Sequence, residues 1–200
     1  MGIILRDLSK AFDGKQVLDH FSCELPEKGV VAFMGKSGIG KSTIINLLLG
    51  LRKPDSGEIR IPHGLRFSAV FQEDRLIGHL SARDNLLLTT HRSAADISAA
   101  LAALSLNPDA PEPVKTYSGG MKRRVALARG ILLPADVLLL DEPFRGLDPE
   151  TRRQAAGLIS SEWKGRLILM VTHDEEEARM MGASRIIWIG GEDDGQQSIS

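Results

Sequence analysis

The apolar run Val30-Val31-Ala32-Phe33-Met34, followed at once by Gly35-Lys36-Ser37-Gly38-Ile39-Gly40-Lys41-Ser42-Thr43, constrains this chain more than any other stretch. A continuous apolar pentapeptide reads as a strand buried on both faces. The adjoining Gly-x4-Gly-Lys-Ser pattern leads into residues 44–49, an apolar helical segment stopped by Gly50. Strand, glycine loop and helix in that order form a phosphate cradle. The glycines let backbone N–H groups turn inward around anionic oxygens, and the helix N-terminus adds partial positive charge. Lys41 brings a point charge to the β- and γ-phosphates, and the Ser42 hydroxyl suits Mg2+.

The rest of the chain supplies the frame. Residues 3–5, 12–18 and 21–25 read as a small antiparallel sheet, with Asp13-Gly14 as a hairpin turn. Short strands are expected at 58–61 and 66–71. Residues 73–134 read as helical, with Ser81 and Ser93 as N-caps, a stiff loop at Pro108, Pro111 and Pro113, and a last helix over 119–132. Strand patterns return at 137–140, 167–171 and 186–189, alternating with helices at 149–162 and 174–181. Such alternation implies an α/β fold with a mainly parallel sheet. The expected organisation is one domain over 1–200: a core of 1–72 and 135–191, a helical subdomain at 73–134 and a frayed acidic tail at 192–200.

Composition excludes several classes. With 25 Lys and Arg against 26 Asp and Glu, the 200-residue chain has a net charge of −1 and lacks the basic excess typical of nucleic-acid binding. The single cysteine, Cys23, rules out an internal disulfide framework. There is no signal-peptide pattern, and no apolar run approaches the roughly 18 residues of a membrane span. Lys122, Arg123, Arg124 and Arg129 read as a solvated helix face, and His20, His63, His79 and His91 as surface residues.

Two further constellations carry chemistry. Leu138-Leu139-Leu140-Asp141-Glu142-Pro143 ends a buried strand with two carboxylates, and open parallel sheets bind ligands at the carboxyl ends of their strands. Asp141 is placed to hold Mg2+ through water, and Glu142 to orient and deprotonate an attacking water. Ser118-Gly119-Gly120 puts a hydroxyl and two backbone amides at a helix start, a second anion site.

From residue 3 to 189 the chain resembles the nucleotide-binding subunits of ATP-binding-cassette (ABC) transporters. Tyr117-Ser118-Gly119-Gly120-Met121 resembles the family's signature motif, with Tyr117 in place of the usual Leu and Met121 in place of the usual Gln. Gln72 stands where the family has its lid glutamine, Arg145-Gly146-Leu147-Asp148 resembles its D-loop, His173 its switch histidine and Phe12 its adenine-stacking aromatic. The residues after Gln72, Glu73-Asp74-Arg75-Leu76-Ile77, look most like the nitrate/sulfonate/taurine type of bacterial importer, as do Ser118-Gly119-Gly120-Met121 and Asp141-Glu142-Pro143-Phe144. The resemblance implies a P-loop ATPase with ATP and Mg2+ as cofactors. Gly35 to Thr43 would hold the phosphates; Ser42, Gln72 and Asp141 would position the metal. Glu142 would be the base, with His173, Lys41 and Gln72 completing the catalytic set. Ser118, Gly119, Gly120 and Asp148 would act across a homodimer. The implied partners are a membrane permease docked on the lobe after Gln72 and, indirectly, a solute-binding protein, at the cytoplasmic side of the membrane and without nucleic acid. The alternative is a soluble ABC ATPase working on DNA, ribosomes or Fe–S assembly.

Overall fold

A computed structural model describes residues 2–36, 39–190 and 197–198. Among the described residues, nine strands and six α-helices run in the order β1 (Ile4–Phe12), β2 (Lys15–Glu24), β3 (Gly29–Met34), α1 (Lys41–Leu48), β4 (Ser56–Arg60), β5 (Phe67–Val70), α2 (Ala82–Thr90), α3 (Ala94–Ala103), α4 (Gly119–Leu132), β6 (Val137–Asp141), α5 (Pro149–Glu162), β7 (Leu167–Val171), α6 (Glu175–Met180), β8 (Arg185–Trp188) and β9 (Gln197–Ser198). One sheet runs β2-β1-β4 and is antiparallel; the other runs β5-β6-β7-β3-β8-β9, parallel through β8. Of the expected tail, only β9 falls within the described residues, and it pairs antiparallel with β8.

The hairpin between β1 and β2 closes on Phe12↔Lys15, with Asp13 at φ 49° and Gly14 at φ 78°. Two positive φ values in a two-residue loop match the right-handed strand twist. Both strands are longer than the apolar segments 3–5 and 21–25 suggest. Register shifts between Leu5 and Leu8 turn polar Arg6 and Asp7 outward and interrupt the alternation without ending the pairing. Residues 73–81, expected to open the helical stretch, are irregular, and α3 stops at Ala103, where Leu104 takes over as its C-cap.

Strands β6 and β7 are buried along their whole length. Their two-residue period divides them between two cores. Leu138, Leu140, Ile168 and Met170 pack with α4, α5 and the helical lobe. Val137, Leu139, Leu167, Leu169 and Val171 pack with α1 and the antiparallel sheet. The central strands are therefore gripped on both faces, and their ends are held in place.

Trp163, 1% exposed, closes the first core, and its indole N–H donates to the Ile131 carbonyl at 2.9 Å. That carbonyl lies in the last turn of α4, where acceptors lose their helical partners. Replacing Trp163 with Phe keeps most of the apolar contact and removes the donor. Urea unfolding is expected to show a loss of about 1–3 kcal/mol; an unchanged midpoint would show that the indole bond contributes nothing.

Candidate functional site

The site is built where the parallel strands end. Helix α1 begins at Lys41 behind Gly40, which sits at φ 104° with no side-chain cap. A Cβ on Gly40 would lie 2.4 Å from the Val17 carbonyl oxygen of β2, so only glycine permits this approach. No acidic residue occupies the first turn of α1, leaving its amide end attractive to anions. Lys41 is buried, and its Nζ donates to the carbonyls of Gly35 at 2.7 Å and Lys36 at 2.9 Å. Burial lowers its pKa, and the nearby charges of Glu142 and Asp141 oppose that shift. Ser37 and Gly38 lie outside the described residues.

At the end of β6, Asp141 accepts a hydrogen bond from Ser42 Oγ at 3.0 Å. Burial pushes its carboxyl pKa up; the Ser42 bond and the charges of Arg123 and Lys41 pull it down, and Glu142 adds to the rise. Glu142 comes next, in the left-handed region at φ 45°. A non-glycine residue there costs about 1 kcal/mol or more. Its N–H donates to the Val171 carbonyl at 2.9 Å, which ties the turn to β7. His173, just beyond β7, brings Nδ1 to 3.5 Å from Glu142 Oε1. The flanking Thr172 is fully buried and donates to Glu177 Oε2 at 2.7 Å, so the segment carrying the exposed His173 is anchored beneath.

A cavity of about 380 Å3 opens at this edge, lined by Phe12, Val17, Gly40, Lys41, Ser42, Thr43, Gln72 and Glu142. Phe12 ends β1 with the Lys10 Nζ 5.5 Å and the Arg52 guanidinium 5.7 Å from its ring centroid. Gly35, Lys36 and Ile39 belong to the same loop. The cavity thus offers an aromatic face, an amide cradle, a buried cation and the Glu142 carboxylate, with Asp141 bonded to Ser42 behind it, a combination suited to a nucleoside polyphosphate.

Ser118, Gly119, Gly120 and Asp148 are not among the cavity's lining residues. Ser118 caps α4, its hydroxyl accepting from the Met121 N–H at 3.3 Å. Asp148 caps α5, accepting from the N–H groups of Glu150 and Thr151 and from the Thr151 hydroxyl at 2.6 Å. Those bonds, led by the Thr151 hydroxyl, hold its carboxyl below the usual range. Tyr117 is buried in the helical-lobe core, and Met121, half-buried, packs against that core.

The basic helix face needs correction. Arg123 is 4% exposed, Arg124 and Arg129 are half-buried, and all three guanidinium groups donate to carbonyls. Arg124 reaches Leu104 and Ser105 at the end of α3, and Arg129 reaches Asp74 and Arg75. Arg123 contacts the carboxylate turn itself and was invisible as a site residue, because main-chain acceptors leave no mark in the sequence.

Residues 18–145 match the family model described as ABC transporter. The chain belongs to the ABC transporter family. Similar proteins include an aliphatic sulfonates import ATP-binding protein, SsuB 1, of Shouchella clausii, 38% identical over 89% of this chain and 73% of its own length. A second, SsuB 2 of Paraburkholderia xenovorans, is 37% identical over 94% of this chain and 76% of its own. Among solved structures, the dimeric post-hydrolysis state of the ATP-binding cassette MJ0796 bound to ADP and Pi superposes with a TM-score of 0.83 at 26% identity, covering 98% of both chains. The protein is therefore an ABC ATPase with the P-loop NTPase fold, an ATP-binding and ATP-hydrolysing transporter subunit.

The raised Asp141 carboxyl has a consequence for stability. Folding tightens its hold on the proton, so its contribution is fullest below the unfolded carboxyl pKa of about 4 and is lost as pH rises through the higher folded value. Asp141→Asn keeps the shape and an acceptor for Ser42. In buffer without magnesium or nucleotide, the variant is expected to melt higher than the parent at pH 7, with the gap closing toward about pH 4. A lower melting point at pH 7 would contradict this.

Proposed function

We propose that this ABC ATPase drives import of small sulfonate-type solutes through a separate membrane permease, hydrolysing MgATP at sites shared by two copies. The observation that carries the reading is the meeting of Lys41, Ser42, Gln72 and Glu142 on one cavity, with Asp141 bonded to Ser42 behind it. The importer and its solute class are supported by the names of the similar SsuB proteins. None of those names points to DNA, ribosomes or Fe–S assembly.

Each residue then has a task. Lys41 and the amides from Gly35 to Thr43 hold the phosphates, and Phe12 stacks on the base. Hydroxyl, amide and carboxylate oxygens from Ser42, Gln72 and Asp141 are hard donors that fit Mg2+. Bound there, the ion would neutralise charge on the β- and γ-phosphate oxygens. Glu142 takes the proton of an attacking water, and His173, 3.5 Å from Glu142, holds the γ-phosphate side of the closed state. Ser118, Gly119 and Gly120 stand outside their own chain's cavity, which supports a role toward a partner's nucleotide. The dimeric state of MJ0796 supports the same arrangement. Asp148, capping α5, links the two copies.

The permease docks on the lobe after Gln72, at the cytoplasmic face of the membrane, and a solute-binding protein delivers cargo from the other side. This lobe exposes Ile77, Leu87 and Leu88, the last 64% accessible. The buried Asn85 pins Ile77 through its N–H and carbonyl at 2.8 and 3.2 Å, presenting that loop as a firm surface.

Glu142→Gln tests the reading. Steady-state turnover is expected to fall by about 10²- to 10⁴-fold, the usual worth of a general base, and light scattering with MgATP is expected to show a dimer. Wild-type turnover in the variant would remove Glu142 from its role.

A further inference from the structure

We infer that Arg123 is a positioning residue for hydrolysis, clamping the backbone beneath Glu142 and Gln72 so that both side chains meet the nucleotide in register. The inference rests on the reading of Glu142 and Gln72 given above.

A guanidinium carries five N–H donors in a rigid planar fork. In Arg123 each has an acceptor. Nε donates to the Pro143 carbonyl at 2.9 Å. Nη2 donates to the carbonyls of Asp141 at 2.8 Å and Glu142 at 2.7 Å. Nη1 donates to the Phe71 carbonyl at 2.5 Å and faces Asp74 Oδ1 at 3.5 Å. One side chain therefore holds three successive carbonyls of the carboxylate turn and the carbonyl immediately before Gln72.

The acceptors explain why this is more than packing. Glu142 lies in the left-handed region at φ 45°, a conformation its side chain does not favour. The Arg123 bonds on either side of its Cα fix the direction in which the carboxylate leaves the chain. Phe71 and Glu142 lie just past the ends of adjacent strands, β5 and β6, and the same planar group sets their separation. Arg123 also sits in α4, whose N-cap is Ser118. The clamp thus joins the helix that faces the partner's nucleotide to the two loops that face the chain's own. No lysine or glutamine reproduces it, since lysine has three donors without a fork and glutamine has two.

Arg166 supplies the control. It also donates to carbonyls, but those belong to Ala135 and Glu162, and it stands just before β7, at the end of the sheet opposite the cavity. The experiment compares Arg123→Gln, Arg123→Lys, Arg166→Gln and Glu142→Gln. Each is measured for turnover against ATP concentration, affinity for a fluorescent ATP analogue, and melting temperature. If Arg123 positions the reacting groups, Arg123→Gln loses about ten- to hundredfold in kcat, with analogue affinity within about twofold. Arg123→Lys falls between it and the parent, while Arg166→Gln melts lower but keeps its kcat. Should Arg123→Gln fail to fold, Arg123→Lys decides, and wild-type kcat in that variant overturns the inference. So does an Arg123→Gln protein that behaves like Arg166→Gln. Wild-type turnover in Glu142→Gln would instead overturn the base assignment, whereas a dead Glu142→Gln beside a normal Arg123→Gln would overturn the clamp alone.

Discussion

The site depends on the register of three parallel strands. Phe33 of β3 pairs with Val171 of β7, and Val171 pairs in turn with Asp141 of β6. Three chain segments therefore leave the sheet on one row, and each leads directly into the candidate site: the glycine loop after Met34, Glu142 after Asp141, and Thr172-His173 after Val171. A shift of one residue in any pairing would turn its strand inside out, because alternate side chains belong to different cores. Leu138 and Leu139 illustrate this, packing against the helical lobe and the antiparallel sheet respectively. Hydrophobic burial on both faces thus fixes polar groups that never enter either core.

Those polar groups are held at a cost in stability. Asp141 is sealed against solvent, and Lys41 is desolvated at the mouth of the loop. Glu142 occupies a backbone conformation that side chains disfavour. Each strained feature has a named support. Ser42 meets Asp141, the Gly35 and Lys36 carbonyls meet Lys41, and Arg123 with the Val171 carbonyl brackets Glu142. In the proposed reaction, such preorganisation would place charge where phosphoryl transfer needs it.

Much of this was legible in the sequence. The buried strand, the glycine loop and the acidic strand end announce themselves through residue types that only a phosphate site needs together, and their order implied the parallel sheet. Helix starts at Ser81, Ser93 and Ser118 were equally plain, because a capping side chain bonds to its own local amides. The features that escaped were non-local. Arg123, Arg124 and Arg129 look alike as letters on a basic helix, yet one is sealed under the carboxylate turn and two are half-buried against loops. The acceptors are main-chain carbonyls, which every residue has. The full length of β1 was hidden for a related reason: an irregular register around Asp7, itself at φ 53°, breaks the two-residue period while the hydrogen-bonded pairing continues.

The central claim is that hydrolysis takes place between two copies, with the phosphate loop of one facing Ser118-Gly119-Gly120 of the other. A structure of the Glu142→Gln variant with ATP and Mg2+ tests it most directly. The account predicts a symmetric dimer holding two nucleotides, each touched by Lys41 of one copy and Ser118 of its partner. A nucleotide contacted by a single chain, or a dimer formed through another face, would contradict it.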